Sequence, residues 1–410
     1  MDCDQRAAEG IIYSISRRGF AVVGLSSMKR CPAWYSRYMN RYFQSPQLCQ
    51  GFDGYFDFLV SLPVRGVLVP SGDLSVQFLS LFASRLMKAG FLLNIVGNDA
   101  LLQAFDKWKC YQLCISQNVP VAKTIFIESA SSILQKTAGF SFPAIIKPTR
   151  LAGGIYIRVF SVHDAEKAFV RLHEMINNKQ YRMHGSGLIF QEWVDSKMED
   201  NWSCDVFYDK HANFKSAVTI KRIRTSLNEK GTPTSRLYAG KIRNNPELIE
   251  TTRRILESIG WQGFAHVEYI YDRLSQKFLL TEINPRLPGY SYLLSQTGYE
   301  FGYFYAADLF GLNYTSPPAM PETVYFEALR YPGDVTDGIA NAFRGFFTLR
   351  SFVKSYLSAF FSKERVVIDH LNYGDIPMSV AILLHNEVNF IRKMTTYIRK
   401  RSMRINHCQP

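Results

Sequence analysis

Chemistry in this 410-residue chain gathers first at Thr281–Arg286, TEINPR. On a β-strand alternate side chains share a face. Glu282, Asn284 and Arg286 then stand in one row of carboxylate, amide oxygen and permanent cation. Upstream, HVEYIYD carries Glu268 and DRLSQ supplies a turn. A hairpin centred near Ser275 sets Glu268 opposite Glu282 on the same face. Carboxylates so placed repel, and an unpaired cluster raises at least one pKa. A Mg²⁺ ion removes the conflict, because it takes oxygen ligands and is commonly held by one or two carboxylates plus substrate phosphates. On E-x-N alone, a surface hairpin with solvated acids is the simpler reading.

Other residues suit a nucleotide. In PAIIKPTRLAGG an apolar strand ends at Lys147, and Gly153 and Gly154 follow. Backbone N–H groups of such a loop cradle phosphates, and lysine adds a point charge. Taken alone the pair of glycines is an ordinary turn. FQEWV, residues 190–194, is an apolar strand running into a polar linker. It offers backbone groups to an adenine edge, or is only a core strand. His266 shares the face of Glu268 and reads as a structural hydrogen-bonding group rather than a base. The histidines are dispersed, and there is no Ser/His/Asp constellation.

The elements that must position these residues fall into successive blocks. Residues 1–100 alternate helix and strand: AAEGIIYSISRRG, FAVVGLS, VRGVLVPSGD, LSVQFLSLFASRLMKAG and LLNIVG. That alternation predicts a parallel, doubly wound sheet. The chain opens on a helix, where such domains open on a strand. DALLQAFDKWKCYQLCISQNVP reads as one long helix ending in a turn at Pro120. Beyond it, NWSCDVFYDKHANFKSAVTIKRIRT is a hairpin around Asp209–Asn213, and NPELIETTRRILESIGW is a helix with proline in its first turn.

Their order resembles the ATP-grasp superfamily: Lys107 in DKW, Lys147 with its Gly loop, Glu192, Glu268, then EINPR. The resemblance covers roughly residues 20–315 and is strongest over 140–311, with HVEYIYD…FLLTEINPR its most specific part. It implies a fold that is α/β and α+β. A partial doubly wound domain (1–100) precedes an ATP-grasp domain (101–315) with two antiparallel-sheet subdomains, the smaller lid at about 115–190. A basic, largely helical extension (316–410) follows. The resemblance also implies roles. Lys107 (Lys109 as runner-up) and Lys147 contact nucleotide phosphates, and Gly153 and Gly154 cover them. Glu192, Trp193 and Val194 read adenine, and Glu199 the ribose. Lys221 or Arg222 touches the γ-phosphate. Glu268, Glu282 and Asn284 hold Mg²⁺, with Mn²⁺ as a substitute. Arg286 steadies an acyl phosphate. Asp73 and YSYLL are candidates for the acceptor side. The implied activity is an ATP-dependent carboxylate–amine ligase acting on small molecules; the alternative is a degenerate nucleotide-binding regulator or scaffold. A loose resemblance to D-aspartate ligases accompanies it. Two departures stand out: the Gly loop is lean, with TRL before it, and the first strand of the N-terminal sheet is missing.

Composition bounds the rest. The chain is 47% hydrophobic and 20% charged, which is globular rather than disordered. A formal net charge of +13 favours an anionic partner. No nucleic-acid-binding motif or basic–aromatic stripe accompanies it, so nucleic acid is not expected. Seven scattered cysteines without a C-x-x-C pair argue against a disulfide framework and a zinc site, and for a reducing cytosol. The N-terminus lacks a secretory signal, and no run reaches the ~18 apolar residues that span a bilayer. Residues 341–410 hold 11 Lys and Arg against 4 Asp and Glu. Val380, Leu384, Val388, Ile391, Met394 and Ile398 form a helical stripe that ends in a basic segment. Its first half is expected to pack on the core; its end suits peripheral contact with an anionic membrane. A homodimer is compatible with the sequence.

Overall fold

The computed structural model describes residues 1–150, 156–177, 187–227, 233–315, 328–330, 333–360, 367–369, 374–382 and 384. The chain opens on α1 (Ala7–Ser16), and β1 (Val22–Ser26) pairs in parallel with β2 (Met39–Gln44). Helices α2 (Phe52–Ser61) and α3 (Asp73–Lys88) complete the alternation. The strands expected after residue 64 and over 92–97 are extended segments joined by a single parallel bridge, Val67 to Leu92. Between β1 and that bridge lies an apolar cavity of 330 Å³, lined by Leu25, Leu62, Leu68 and Val69 among others. Met1 N donates to Val69 O at 2.8 Å and Cys3 N to Leu25 O at 2.9 Å, so residues 1–3 close one end of it.

The single helix expected after residue 98 is two: α4 (Asn98–Phe105) and α5 (Lys107–Ser116). Asp106 breaks it. Its backbone is extended, and its carboxylate accepts the N–H groups of Trp108 and Lys109 at 3.0 and 3.3 Å. An aspartate cap of this kind stabilises a helix start by about 1 kcal/mol. The break makes Lys107 the first residue of α5 and lets its N–H donate to Thr149 O at 2.8 Å.

The lid follows: β3 (Thr124–Ile127), α6 (Ile133–Lys136), β4 (Ala144–Pro148), β5 (Ile157–Val159), α7 (Val162–Asn177) and β6 (Leu188–Glu192). Its strands form an antiparallel sheet in the order β3-β6-β4-β5. Ile146, Phe169, Leu172 and Phe190 fill the space between that sheet and α7.

The larger sheet comprises β7 (Asn201–Tyr208), β8 (Phe214–Leu227), β9 (Pro233–Ile242), β10 (Gly263–Asp272) and β11 (Lys277–Asn284), with α8 (Pro246–Glu257) before β10. Its order is β11-β10-β7-β8-β9, antiparallel throughout. Alternation sorts its faces. Trp202, Cys204, Val206 and Tyr208 join a core with Leu248 and Ile255 of α8, while Ser203 and Asp205 point the other way, to Tyr290. Beyond β11 come α9 (Ser291–Gln296) and α10 (Phe301–Leu309). Helix α1 crosses α9 closely: a Cβ on Gly10 would sit 2.3 Å from the Ser291 backbone. Within YSYLL, Ser291 donates to Ala7 O of α1 and Tyr292, Leu293 and Leu294 are buried, while Tyr290 turns to Asp205.

In the extension, β12 (Ala328–Arg330) and β13 (Val367–Asp369) pair in parallel around α11 (Gly333–Phe343) and α12 (Leu349–Phe360). Residues 376–382 are helical, and Met378 and Ile382 pack on Cys3, Ala8, Ile12 and Cys31. Val380 and Leu384, expected in the buried stripe, are 47% and 61% exposed. Asp375 explains the rotation: it accepts the Ser36 hydroxyl and the Arg37 N–H, fixing which face turns inward. The remainder of the stripe and the basic end lie outside the described residues. Among the described residues, no helix is long and apolar enough to cross a membrane.

Candidate active site

The β10–β11 hairpin places Glu268 opposite Glu282 and His266 opposite Asn284. It does so through a β-bulge. Below it the pairs run Tyr269–Leu280 to Asp272–Lys277, a turn centred between Leu274 and Ser275. That register alone would set Glu268 against Thr281 and turn Glu282 to the other face. Thr281 is the extra residue, and its hydroxyl donates to Glu268 O at 3.0 Å. Bulges that re-aim a side chain are common beside active sites.

Around this pair the polar groups converge. Glu268 meets the Arg222 guanidinium at 2.9 Å through Oε2 and His266 Nε2 at 2.9 Å through Oε1. His266 Nδ1 lies 2.7 Å from Asp205 Oδ1, and the Tyr290 hydroxyl donates to Asp205 Oδ2 at 2.9 Å. Burial alone would lower the His266 pKa, but Asp205 and Glu268 prevail and raise it to about 9. Burial alone would raise Glu268, but Arg222 and His266 hold it down at about 2. Lys107 Nζ stands 3.7 Å from Glu282 Oε2, and Asn284 Nδ2 donates to Glu282 Oε1 at 3.2 Å. Arg286 Nε donates to Asp73 Oδ1 at 2.8 Å, which ties the N-terminal domain to the site.

Lys147 is the penultimate residue of β4, and burial together with the nearby Lys107 charge lowers its pKa to about 8. The sign of the consequence for an anionic ligand is fixed. Below about pH 8 Lys147 is already cationic, so affinity is flat. Above it, binding must take up a proton, so affinity for a triphosphate should fall, by at most tenfold per pH unit. Titration calorimetry in buffers of different ionisation heat, from pH 7 to 9.5, reads that proton uptake directly.

Lys221 and Arg222 face opposite ways. Lys221 is in register with Trp202, its Nζ 5.7 Å above that ring, whereas Arg222 turns to Glu268. Arg222 is thus the one brought to the carboxylates. Lys109 is exposed on α5, whereas Lys107 reaches Glu282. Glu199 is exposed and paired with Arg273 at 3.0 Å, at the hairpin's turn end. That is roughly 17 Å along the strand from Glu268 at ~3.4 Å per residue, so it stands apart from the metal end. Glu192 ends β6, an interior strand of the smaller sheet, and Trp193 and Val194 follow it. Glu192 N donates to Lys123 O and Trp193 N to Pro143 O. The Trp193 ring packs under Arg158 at 4.3 Å, and its buried indole nitrogen has no hydrogen-bond partner. Gly153 and Gly154 lie outside the described residues. Asp205 and Tyr290 escaped the sequence reading, although the alternation Asn201, Ser203, Asp205 against Trp202, Cys204, Val206 marks a polar strand face.

The donor set fits the group that the order of residues implies. Glu268 and Glu282 in register plus the Asn284 amide supply hard oxygen donors of the kind Mg²⁺ takes. Arg222, 3% exposed, keeps its Nε without a hydrogen-bond partner, a buried donor suited to a phosphate oxygen.

The fold is an ATP-grasp fold, and residues 104–290 match the family model of the ATP-grasp domain. Over 252 residues the chain is 21% identical to a D-aspartate ligase of Enterococcus faecium (strain Aus0004), covering 59% of this chain and 58% of the relative. The match thus spans less than two thirds of that relative. Among solved structures, N5-carboxyaminoimidazole synthetase from Staphylococcus aureus complexed with ADP superposes with a TM-score of 0.61 at 16% identity, covering 83% of this chain and 84% of that one. The biotin carboxylase domain dimer of the Hydrogenobacter thermophilus 2-oxoglutarate carboxylase, with MgADP, ADP and bicarbonate, gives 0.58 at 12% identity, covering 76% and 69%. At these identities the structures establish the shared fold.

Proposed function

We propose that this chain is an ATP-dependent carboxylate–amine ligase that works through an acyl phosphate, with ATP as substrate and Mg²⁺, or Mn²⁺ in its place, as the metal. One observation carries the reading: Lys107, Lys147 and Arg222 surround the in-register pair Glu268–Glu282, and Arg286 follows on the same strand end. Glu268, Glu282 and Asn284 would hold the metal, which offsets phosphate charge when bound. A substrate carboxylate oxygen attacks the γ-phosphorus and ADP leaves. An amine then attacks the acyl carbon, the C–N bond forms and phosphate departs. The chain's residues position two anions against each other and offset their repulsion. Arg222 and Lys147 hold phosphate oxygens, and Arg286, oriented by Asp73, receives the charge on the transferred group. Glu192, Trp193 and Val194 at the end of β6 would take the adenine, and Gly153 and Gly154 would cover the phosphates.

The D-aspartate ligase relative supports amino acids as candidates on the carboxylate or the amine side. The test is ADP release over a panel of amino acids, with hydroxylamine added to trap an acyl phosphate as a hydroxamate. ADP release that depends on one carboxylate, with its hydroxamate, supports the reading. A second reading rests on a specific observation: both oxygens of Glu268 are already engaged by Arg222 and His266. A regulator that binds nucleotide without turning it over would show saturable ATP binding and no ADP with any pair. Cytoplasmic location, a homodimer and peripheral membrane contact complete the proposal. The last predicts that a chain ending at Asn389 stops co-sedimenting with anionic vesicles at low salt while its ATPase persists. If the 410-residue chain itself never co-sediments, membrane contact is rejected.

A further inference from the structure

Cys3 and Cys31 are 28 positions apart in the chain, with their Sγ atoms 3.7 Å apart. Cys3 lies on the segment that closes the end of the apolar cavity; Cys31 precedes the short turn Pro32–Tyr35. Both are buried, at 7% and 1% exposure. Their surroundings are unequal. The Tyr42 hydroxyl donates to Cys31 Sγ at 3.8 Å, and the backbone N–H groups of Ala33 and Trp34 also favour negative charge there. The Cys3 sulfur is 3.7 Å away, and either thiol can donate to the other. These donors outweigh burial and bring the Cys31 thiol down to about 7, while the same contact holds Cys3 protonated, well above its ordinary range. The two sulfurs are in contact, and the neighbouring donors gather on the Cys31 side. Reactivity follows thiolate character and access. The 330 Å³ cavity reaches the pair at Cys3, which lines its wall; Cys31 does not line it and is reached only past Cys3, with which it is in contact. By contrast Cys110, Cys114 and Cys204 are buried in the apolar core between α5, α8 and the larger sheet.

We propose that Cys3 and Cys31 are a modification site at which a small hydroperoxide forms a reversible disulfide. The Cys31 thiolate attacks one peroxide oxygen, the O–O bond breaks, and hydroxide leaves, giving a sulfenic acid at Cys31. The Cys3 sulfur, giving up its proton, then attacks that sulfur; the S–S bond forms, the S–O bond breaks, and water departs. In sum, two thiols and one hydrogen peroxide become one disulfide and two waters. The thiols lose two electrons and the peroxide gains them. Closing from contact to the ~2.05 Å bond moves the Met1–Cys3 segment toward the Pro32–Tyr35 turn. The site is independent of the ligase reading.

The test uses the 410-residue chain, a few equivalents of hydrogen peroxide, denaturing alkylation, then intact mass and peptide mapping. Alkylatable thiols should fall from the seven present to two fewer. One cross-link should join the Cys3 and Cys31 peptides, with a loss of about 2 Da that dithiothreitol reverses. Cys3→Ser should instead accumulate a dimedone adduct at Cys31, and Cys31→Ser should give neither adduct nor cross-link. Cys110→Ser should behave as the parent. A cross-link joining other cysteines, or oxidation of the parent that stops at Cys31 without a disulfide, would overturn the proposal. So would a parent chain that keeps all its thiols. The parent peptide map alone decides this, so a serine variant that fails to fold does not blunt the test.

Discussion

Glu282→Gln should reduce turnover by about two to three orders of magnitude, the loss typical of one group that stabilises transition-state charge. The side chain stands at the meeting point of Lys107, at 3.7 Å, and Asn284, at 3.2 Å. Glutamine keeps its shape and its acceptor for the Asn284 amide, so what is removed is one negative charge. That charge is what a divalent ion and the flanking lysine answer to. The fold should barely notice. The Lys107–Glu282 contact is partly exposed, and such pairs contribute roughly 0–1 kcal/mol. Melting within a few degrees of the parent is the expected control. Near-parental turnover at saturating Mg²⁺ would remove Glu282 from the metal site.

Lys147→Ala should weaken ATP binding by about 10- to 100-fold, the size of a hydrogen bond to a charged group. Lys109→Ala should change it less than about twofold, as surface substitutions do. The two lysines differ in placement, not type. Lys147 lies near the end of β4, depressed by burial and by the charge of Lys107, whereas Lys109 is exposed on α5. Calorimetry with a non-hydrolysable ATP analogue compares them in a system without turnover. Equal losses would mean that phosphate contact has been assigned to the wrong lysines.

The Glu268–Glu282 opposition was legible because facing along a strand is a local property and both residues have even numbers. The symmetric turn inferred from that parity was not the actual one. The turn sits half a residue earlier, and the bulge at Thr281 restores the match. Bulges depend on neighbours across the sheet, which sequence spacing does not report. The same limit explains Arg222. Its alternation with Lys221 was visible, but which of them turned toward the carboxylates required the β7–β8 register. Asp106 was misread as helix interior, although its cap geometry is local and aspartate is a strong capping type. The buried partners Asp205 and Tyr290, and the contact of Cys3 with Cys31, depend on chain crossings with no sequence periodicity. So does the cluster that buries Met378 and Ile382 while Val380 faces out.

The cavity beside β1 makes this chain a case for pressure rather than heat. Compression favours whichever state has the smaller volume, and the volume lost on unfolding scales with the empty space that the folded chain encloses. At 330 Å³ the space, partly open to solvent, is about twice the volume of an engineered ~150 Å³ core void. Its wall comes mostly from residues 1–91, with Ala306 and Phe310 of α10 completing it, while the smaller sheet has a core of its own. Under hydrostatic load the packing around β1 and α3 should therefore loosen first. Arg286 would then lose Asp73, its anchor across the domain boundary, while Glu268 and Glu282 remained in register on an intact hairpin.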